Sequence, residues 1–144
     1  MSTPAHDQKI TLHIVEHYPC HEPRAHDPHY RFFNAARDRL KKLGKLVCWI
    51  GNEDCAGQIE LHHDKVEFAL ANSVDVARFA KLYPEFGIMG DDDFLRVIEG
   101  EGNLTPLCKI HHTGIFGVHV LPMPIWGVQR FCKKGMRPAE VVKA

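Results

Sequence analysis

Four residues constrain this chain more than any others: Cys48, Cys55, and the Cys108 and His111 of "CKIH". Positions three apart on a helix share a face, so Cys108 and His111 can turn the same way. With the two thiols of "LVCWIGNEDCAG" they make a Cys₃His set, the donor number and type of a tetrahedral structural zinc site. The competing reading is three reduced cysteines in a small core. Five cysteines is an odd count, and "MSTPAHDQKI" has no apolar stretch of the secretory kind, so a disulfide framework is not expected.

The chain has 144 residues, 44% hydrophobic and 25% charged, which suits one ordinary globular domain with a modest core. No apolar run approaches the roughly 20 residues of a membrane span. The zero net charge hides segregation. Residues 28–46 carry six basic and one acidic residue, as do residues 109–144, whereas residues 64–102 carry four basic and nine acidic. Two basic segments therefore flank an acidic insert, and a phosphate-bearing partner is compatible with overall neutrality. Solvated charge on helix faces is the plainer alternative.

The first 26 residues read as irregular and histidine-rich. "DPHYRFFNAARDRLKKLG" reads as a helix with Asp27 as N-cap, Pro28 in the first turn and Gly44 beyond its end. Phe32, Phe33, Ala36 and Leu40 form its apolar face, with Arg37, Lys41 and Lys42 on the basic side. "LVCWIGNEDCAGQIELHH" reads as two short strands around the cysteine loop. "NSVDVARFAKLY", capped by Asn72 or Ser73, and "DDDFLRVIEG", from Asp91 to Gly100, read as helices. "NLTPLC" is a turn or short strand. "KIHHTGIFG" begins a helix whose length Gly114 and Gly117 leave open. The chain thus divides into residues 1–26, a basic helix at 27–46, a core at 47–131 interrupted by the insert 64–102, and a basic tail at 132–144.

Two pairs of adjacent histidines stand in that core. His62 and His63 end "IELHH", and side chains of strand neighbours point to opposite faces. His111 and His112 are turned about 100° apart on a helix. Each pair can therefore divide its work, one ring to a metal and one elsewhere.

"IELHHD" followed by "NLTPLCKIHH" resembles the HNH endonuclease family, and "ELHHDK" is similar to the His-His segment of the DNase colicins. The interval of nine from Asn103 to His112 matches the family's Asn-to-His interval. The resemblance covers residues 47–120, with an unusually long connection of 39 residues between its two motifs. It implies an α+β fold with a ββα-metal (His-Me finger) core and metal-dependent hydrolysis of DNA phosphodiesters. It implies His62 and His112 as ligands of a catalytic divalent ion (Mg, Mn, Ni or Zn), His63 as general base, and Asn103 as the brace of the loop carrying that base. The structural zinc on Cys48, Cys55, Cys108 and His111 would stabilise the unit, and Arg37, Lys41 and Lys42 would neutralise phosphates of bound DNA. Compact nucleases of this kind are frequent in phages, which implies the host cytoplasm and leaves a phage or host protein partner open.

Such a site makes chemical sense. A divalent ion stabilises charge on the leaving oxygen as a Lewis acid, and an imidazole can take a proton from water. Where some relatives have a further ligand four positions after the last histidine, this chain has Phe116. His119 is the substitute candidate, although a continuous helix would carry it about 10 Å along the axis. Asp64 is another candidate. His17, Cys20, His21, His26 and His29 form either a second metal cluster or a solvated or docked tail. Trp126 and Phe131 are expected in the core, and Cys132 has no evident partner. The rival function is a non-catalytic, zinc-stabilised nucleic-acid-binding or assembly module. A nucleobase deaminase also combines zinc with His and Cys, but its H-x-E…P-C-x-x-C pattern is absent here and that reading is set aside.

Overall fold

Apolar side chains alternate with polar ones in "IELHH", and this stretch forms strand β1 (Ile59–His63). Its partner β2 (Leu104–Cys108) runs antiparallel, in a register that sets Ile59 opposite Cys108 and His63 opposite Leu104. The computed structural model, which describes residues 2–142, is a small α+β fold in which this strand pair packs against several short helices. In chain order the helices are α1 (Tyr30–Lys42), α2 (Val76–Leu82), α3 (Asp91–Ile98), α4 (Lys109–His112) and α5 (Met123–Val128). No helix among the described residues is long and apolar enough to cross a membrane. Residues 143 and 144 of the basic C-terminal segment lie outside the described residues.

Helix α1 ends where its sequence signals but starts later than expected. Gly44 closes its far end at φ +68°, whereas its first turn begins at Tyr30 behind His29 without a side-chain cap, and Asp27, the expected N-cap, accepts the backbone N–H of His29 at 2.7 Å just ahead of the helix. Phe33 and Ala36 are buried against Leu61 and Leu104, with Tyr30, Leu40 and Leu46 around them. Phe32 lies only partly buried, beneath the guanidinium groups of Arg31 and Arg96.

The insert has its own small core of Ala71, Phe79, Phe94 and Ile98. Its departure and return are tied at one point: the Asp64 N–H donates to the Asn103 carbonyl at 2.7 Å. With its ends joined there, the insert leaves the pairing of β1 with β2 intact, and extra loop length costs little closure entropy. A third cluster, of Ile50, Leu107, Leu121 and Trp126, lies behind the cysteines.

Several local expectations need correction. Only the second of the two strands expected around the cysteine loop forms. The segment before it makes a single sheet-like bond, Trp49 N–H to the Pro106 carbonyl at 2.9 Å. Helix α2 is capped by Asp75, whose carboxylate accepts the Arg78 N–H, and not by Asn72 or Ser73. Helix α4 is a single turn. Phe131 is 73% exposed, although Trp126 is buried as expected. Residues 2–22 carry no regular secondary structure and are almost wholly exposed.

Candidate metal centres

The first centre assembles from three places: the loop before β1, the end of β2 and the turn of α4. The His111 Nδ1 lies 3.2 Å from the Cys108 sulfur, 3.6 Å from Cys55 and 3.8 Å from Cys48. Tetrahedral zinc, with Zn–S of about 2.3 Å and Zn–N of about 2.0–2.1 Å, requires a sulfur–nitrogen edge of about 3.6 Å. The four donor atoms all lie within 4.8 Å of one another. In number, type and spacing they fit a zinc ion, so the residues expected to hold structural zinc are brought together. Cys108 and His111 are buried and the other two are half-buried.

Charge is unevenly divided among the sulfurs. At Cys48, burial pushes the thiol up, but backbone N–H groups of Cys108, Gly51 and Ile50 outweigh it and hold the thiol below its ordinary value. Cys55 is pushed up to about 11, by burial first and then by the negative charge of Cys48. A bound dication relieves this competition by favouring the thiolate at every position. The surroundings are braced. Trp126 Nε1 donates to the His111 carbonyl at 2.9 Å, and Arg137 grips Asp54 through two bonds of 2.6 and 2.9 Å.

The second centre consists of His62, His112 and His119, whose donor atoms also lie within 4.8 Å of one another. The strand geometry divides His62 from His63 as anticipated. His62 turns with Glu60 toward α4, whereas His63 turns with Leu61 toward α1, where its ring lies 5.9 Å from that of Phe33. Glu60 accepts the His112 Nδ1–H at 2.9 Å, which leaves the His112 Nε2 lone pair free. That Nε2 lies 3.1 Å from the Nε2 of His119. His62 has a buried Nδ1 without a partner. It is pushed down to about 4 by burial first, then by the neighbouring rings of His119, His112 and His63. A ring that stays neutral at pH 7 keeps its lone pair for a cation. Three convergent imidazoles of this kind fit a divalent metal and leave a coordination position open.

His119 reaches this position because α4 is not a continuous helix. The chain turns back after His112, with the His119 N–H bonded to the His112 carbonyl at 3.2 Å. Both glycines are required by close approach. A Cβ on Gly114 would lie 2.7 Å from the Ile110 Cα, and one on Gly117 would lie 2.4 Å from the His112 carbonyl oxygen. The 10 Å separation expected from a straight helix therefore does not apply. Asp64, the other candidate, is exposed and lies outside the histidine group.

Asn103 is buried and uses its whole side chain. Its Oδ1 accepts the N–H groups of Lys65 at 2.7 Å and Val66 at 3.1 Å, and its Nδ2 donates to the carbonyls of Val66 and Ile98. The loop that follows β1 is thereby fixed to the start of β2. His63 meets a residue that the sequence did not single out: Glu99, wholly buried, with Oε1 2.6 Å from His63 Nε2. His62, His63, Lys65, Glu67 and His119 line one open groove. Arg37, Lys41 and Lys42 are exposed on α1 and form no ion pair among the described residues.

The N-terminal histidines do not assemble into a metal group among the described residues. His29 instead bridges Asp27 and Asp92 at 2.8 and 2.7 Å, and His21 meets the edge of Phe68. The chain matches no protein-family model, no curated protein and no solved structure.

Proposed function

We propose that this chain is a metal-dependent endonuclease of HNH type that hydrolyses DNA phosphodiester bonds. The observation that carries the reading is the division between adjacent histidines. His62 joins His112 and His119 in a three-imidazole group, while His63 stays out of that group and opens onto the same groove. A structural metal site has no use for a neighbouring imidazole with a free nitrogen. Hydrolysis does, because water must lose a proton as it attacks phosphorus.

A divalent ion held by His62, His112 and His119 would supply Lewis-acid stabilisation of the leaving oxygen. The remaining work falls to the protein. His63 Nδ1 takes the proton of the attacking water, and Asn103 holds the loop after His63 in place. Glu60 keeps His112 in the tautomer that presents Nε2 inward. Arg37, Lys41 and Lys42 meet the phosphates that flank the cleaved bond. The Cys₃His group, loaded with zinc, joins β2, α4 and the preceding loop into one rigid unit. The insert, the unusually long connection between the two motifs of the resemblance, packs beside the groove without breaking the strand pair.

Incubating zinc-loaded protein with supercoiled plasmid tests this directly, across magnesium, manganese, nickel and zinc. Relaxed or linear products should form with at least one added ion and disappear with chelator or with His63→Ala. Folded, zinc-loaded protein that binds DNA but leaves it intact with every ion would assign the chain to a non-catalytic binding module.

A further inference from the structure

The carboxylate of Glu99 has no exposure to solvent, and both of its oxygens are engaged. Oε1 meets His63 Nε2 at 2.6 Å and Oε2 accepts the Arg24 Nε–H at 3.1 Å. The guanidinium of Arg24 also lies 3.8 Å from the centre of the Phe33 ring, and that ring stacks on His63. Three residues from three separate parts of the chain thus enclose one imidazole: Arg24 before α1, Phe33 within it, and Glu99 at the end of α3.

We propose that Glu99 is the positioning residue of His63, holding the ring as the Nε2–H tautomer so that Nδ1 faces the groove without a proton. An ionised carboxylate can only accept, so the hydrogen between Glu99 and a neutral His63 belongs to Nε2. On the other side of the ring, the nearest carboxylate oxygen of Glu67 is 3.7 Å from Nδ1, beyond hydrogen-bond distance. Nδ1 therefore makes no bond that would occupy its lone pair. When the ring takes a proton from water at Nδ1, its Nε2–H stays on Glu99. The buried anion then lies against the charge the ring has gained. Arg24 keeps that anion paired, since an uncompensated carboxylate at zero exposure is strongly disfavoured. The acidic insert acquires a task in this way: it delivers the carboxylate that orients the base. The orientation stands on geometry, and only its catalytic consequence rests on the nuclease reading.

The test is long-range nitrogen-15 NMR of the histidine rings in full-length, zinc-loaded protein, at a pH where His63 is neutral. Loss of its signals in His63→Ala gives the assignment. Wild-type His63 should show a protonated Nε2 and an unprotonated Nδ1. The opposite tautomer, or a mixture of the two, overturns the proposal without any further variant. Glu99→Gln should then mix or invert the tautomers and leave zinc content unchanged. It should also lower kcat at least tenfold, with the loss from His63→Ala, roughly 10²–10⁴-fold, as its ceiling. The KM for plasmid should stay within twofold. A Glu99→Gln protein with the wild-type tautomer and kcat also overturns the proposal. The two readings fail separately: the expected tautomer in a protein that never cleaves DNA refutes the nuclease, whereas cleavage by a protein with the opposite tautomer refutes only the role of Glu99.

Discussion

The two candidate metal centres meet at α4, a single helical turn that gives His111 to one and His112 to the other, and are built on different plans. The cysteine centre has four donors, three of them sulfur, and two of its residues are buried. It offers no vacant side. The histidine centre has three nitrogen donors that range from buried His62 to exposed His119, and it opens onto a groove. Donor number and access separate structural from catalytic zinc sites in general. The softer thiolates hold zinc, whereas imidazoles accept a wider range of ions. His111 and His112 each serve a different centre although they are neighbours. Separating them by about 100° on one helical turn is enough to keep the two sites distinct.

The comparison breaks most readily at the cysteine centre. Cys108→Ser should release the ion and cost several kcal/mol, a large share of the ~5–15 kcal/mol that stabilises a small domain. Denaturant unfolding with parallel zinc analysis measures both. His119→Ala should move the unfolding midpoint little. If Cys108→Ser keeps its stability while His119→Ala loses it, the structural and functional assignments of the two centres are reversed.

A sharper comparison lies within the histidine centre and its neighbour. His63→Ala should keep the catalytic ion and slow the chemical step by about 10²–10⁴-fold, without rescue by excess metal. His62→Ala and His119→Ala should weaken metal binding, and added metal should restore part of their activity. Calorimetric titration of each variant with its zinc centre intact distinguishes the cases. Loss of metal binding in His63→Ala, with retention in His62→Ala, would exchange their roles.

How much of this was legible in the sequence depended on how local the cause was. Gly44 ends α1 through its own backbone conformation, and the bond of Asp27 reaches only to His29, so that helix could be read directly although its start was set slightly early. The Cys₃His set could be read because zinc dictates donor type and number whatever the path of the chain. The opposed directions of His62 and His63 follow from strand geometry alone. His119 could not be placed by helical reckoning, because the position depends on the turn that Gly114 and Gly117 permit. Both glycines were visible, but the direction of the fold-back was not. Glu99 gave no signal at all. It is one of nine acidic residues in the insert, and its partner His63 lies 36 positions away. The cap of α2 was misplaced because Asn72, Ser73 and Asp75 are all competent caps, and the start of the helix selects among them.

The basic face of α1 extends the comparison to DNA. Arg37, Lys41 and Lys42 should serve the open centre and not the closed one. Neutralising all three should weaken DNA binding and reduce the slope of log K against log salt by about 0.9 for each lost contact. Zinc retention and the unfolding midpoint should be nearly unaffected. An unchanged slope would assign this face to packing or to a protein partner.

The smallest expected effect concerns what braces the cysteine centre and the insert. Beside the cysteine centre, Arg137 pairs with Asp54, and that link keeps its charge over the whole working pH range. The insert, by contrast, is fastened to the start of α1 through His29, which bridges Asp27 and Asp92 and can titrate. Partial burial pulls His29 down, but its bonds to Asp92 and Asp27 outweigh this and raise it above the usual histidine value. The sign follows from linkage. A group raised in the folded state stabilises fully below its unfolded value, near 6.5, and that contribution disappears as pH rises through the folded value. Stability should therefore decline slightly on the alkaline side of about pH 6.5, by well under about 1 kcal/mol because Asp92 faces solvent. His29→Gln should remove this decline, seen as a flatter stability profile between about pH 6 and 8. The zinc content should be the same at both ends of that range. If His29→Gln leaves the slope unchanged, the bridge contributes nothing to holding the insert. If zinc is lost along with the slope, the cysteine centre and the insert are not braced independently.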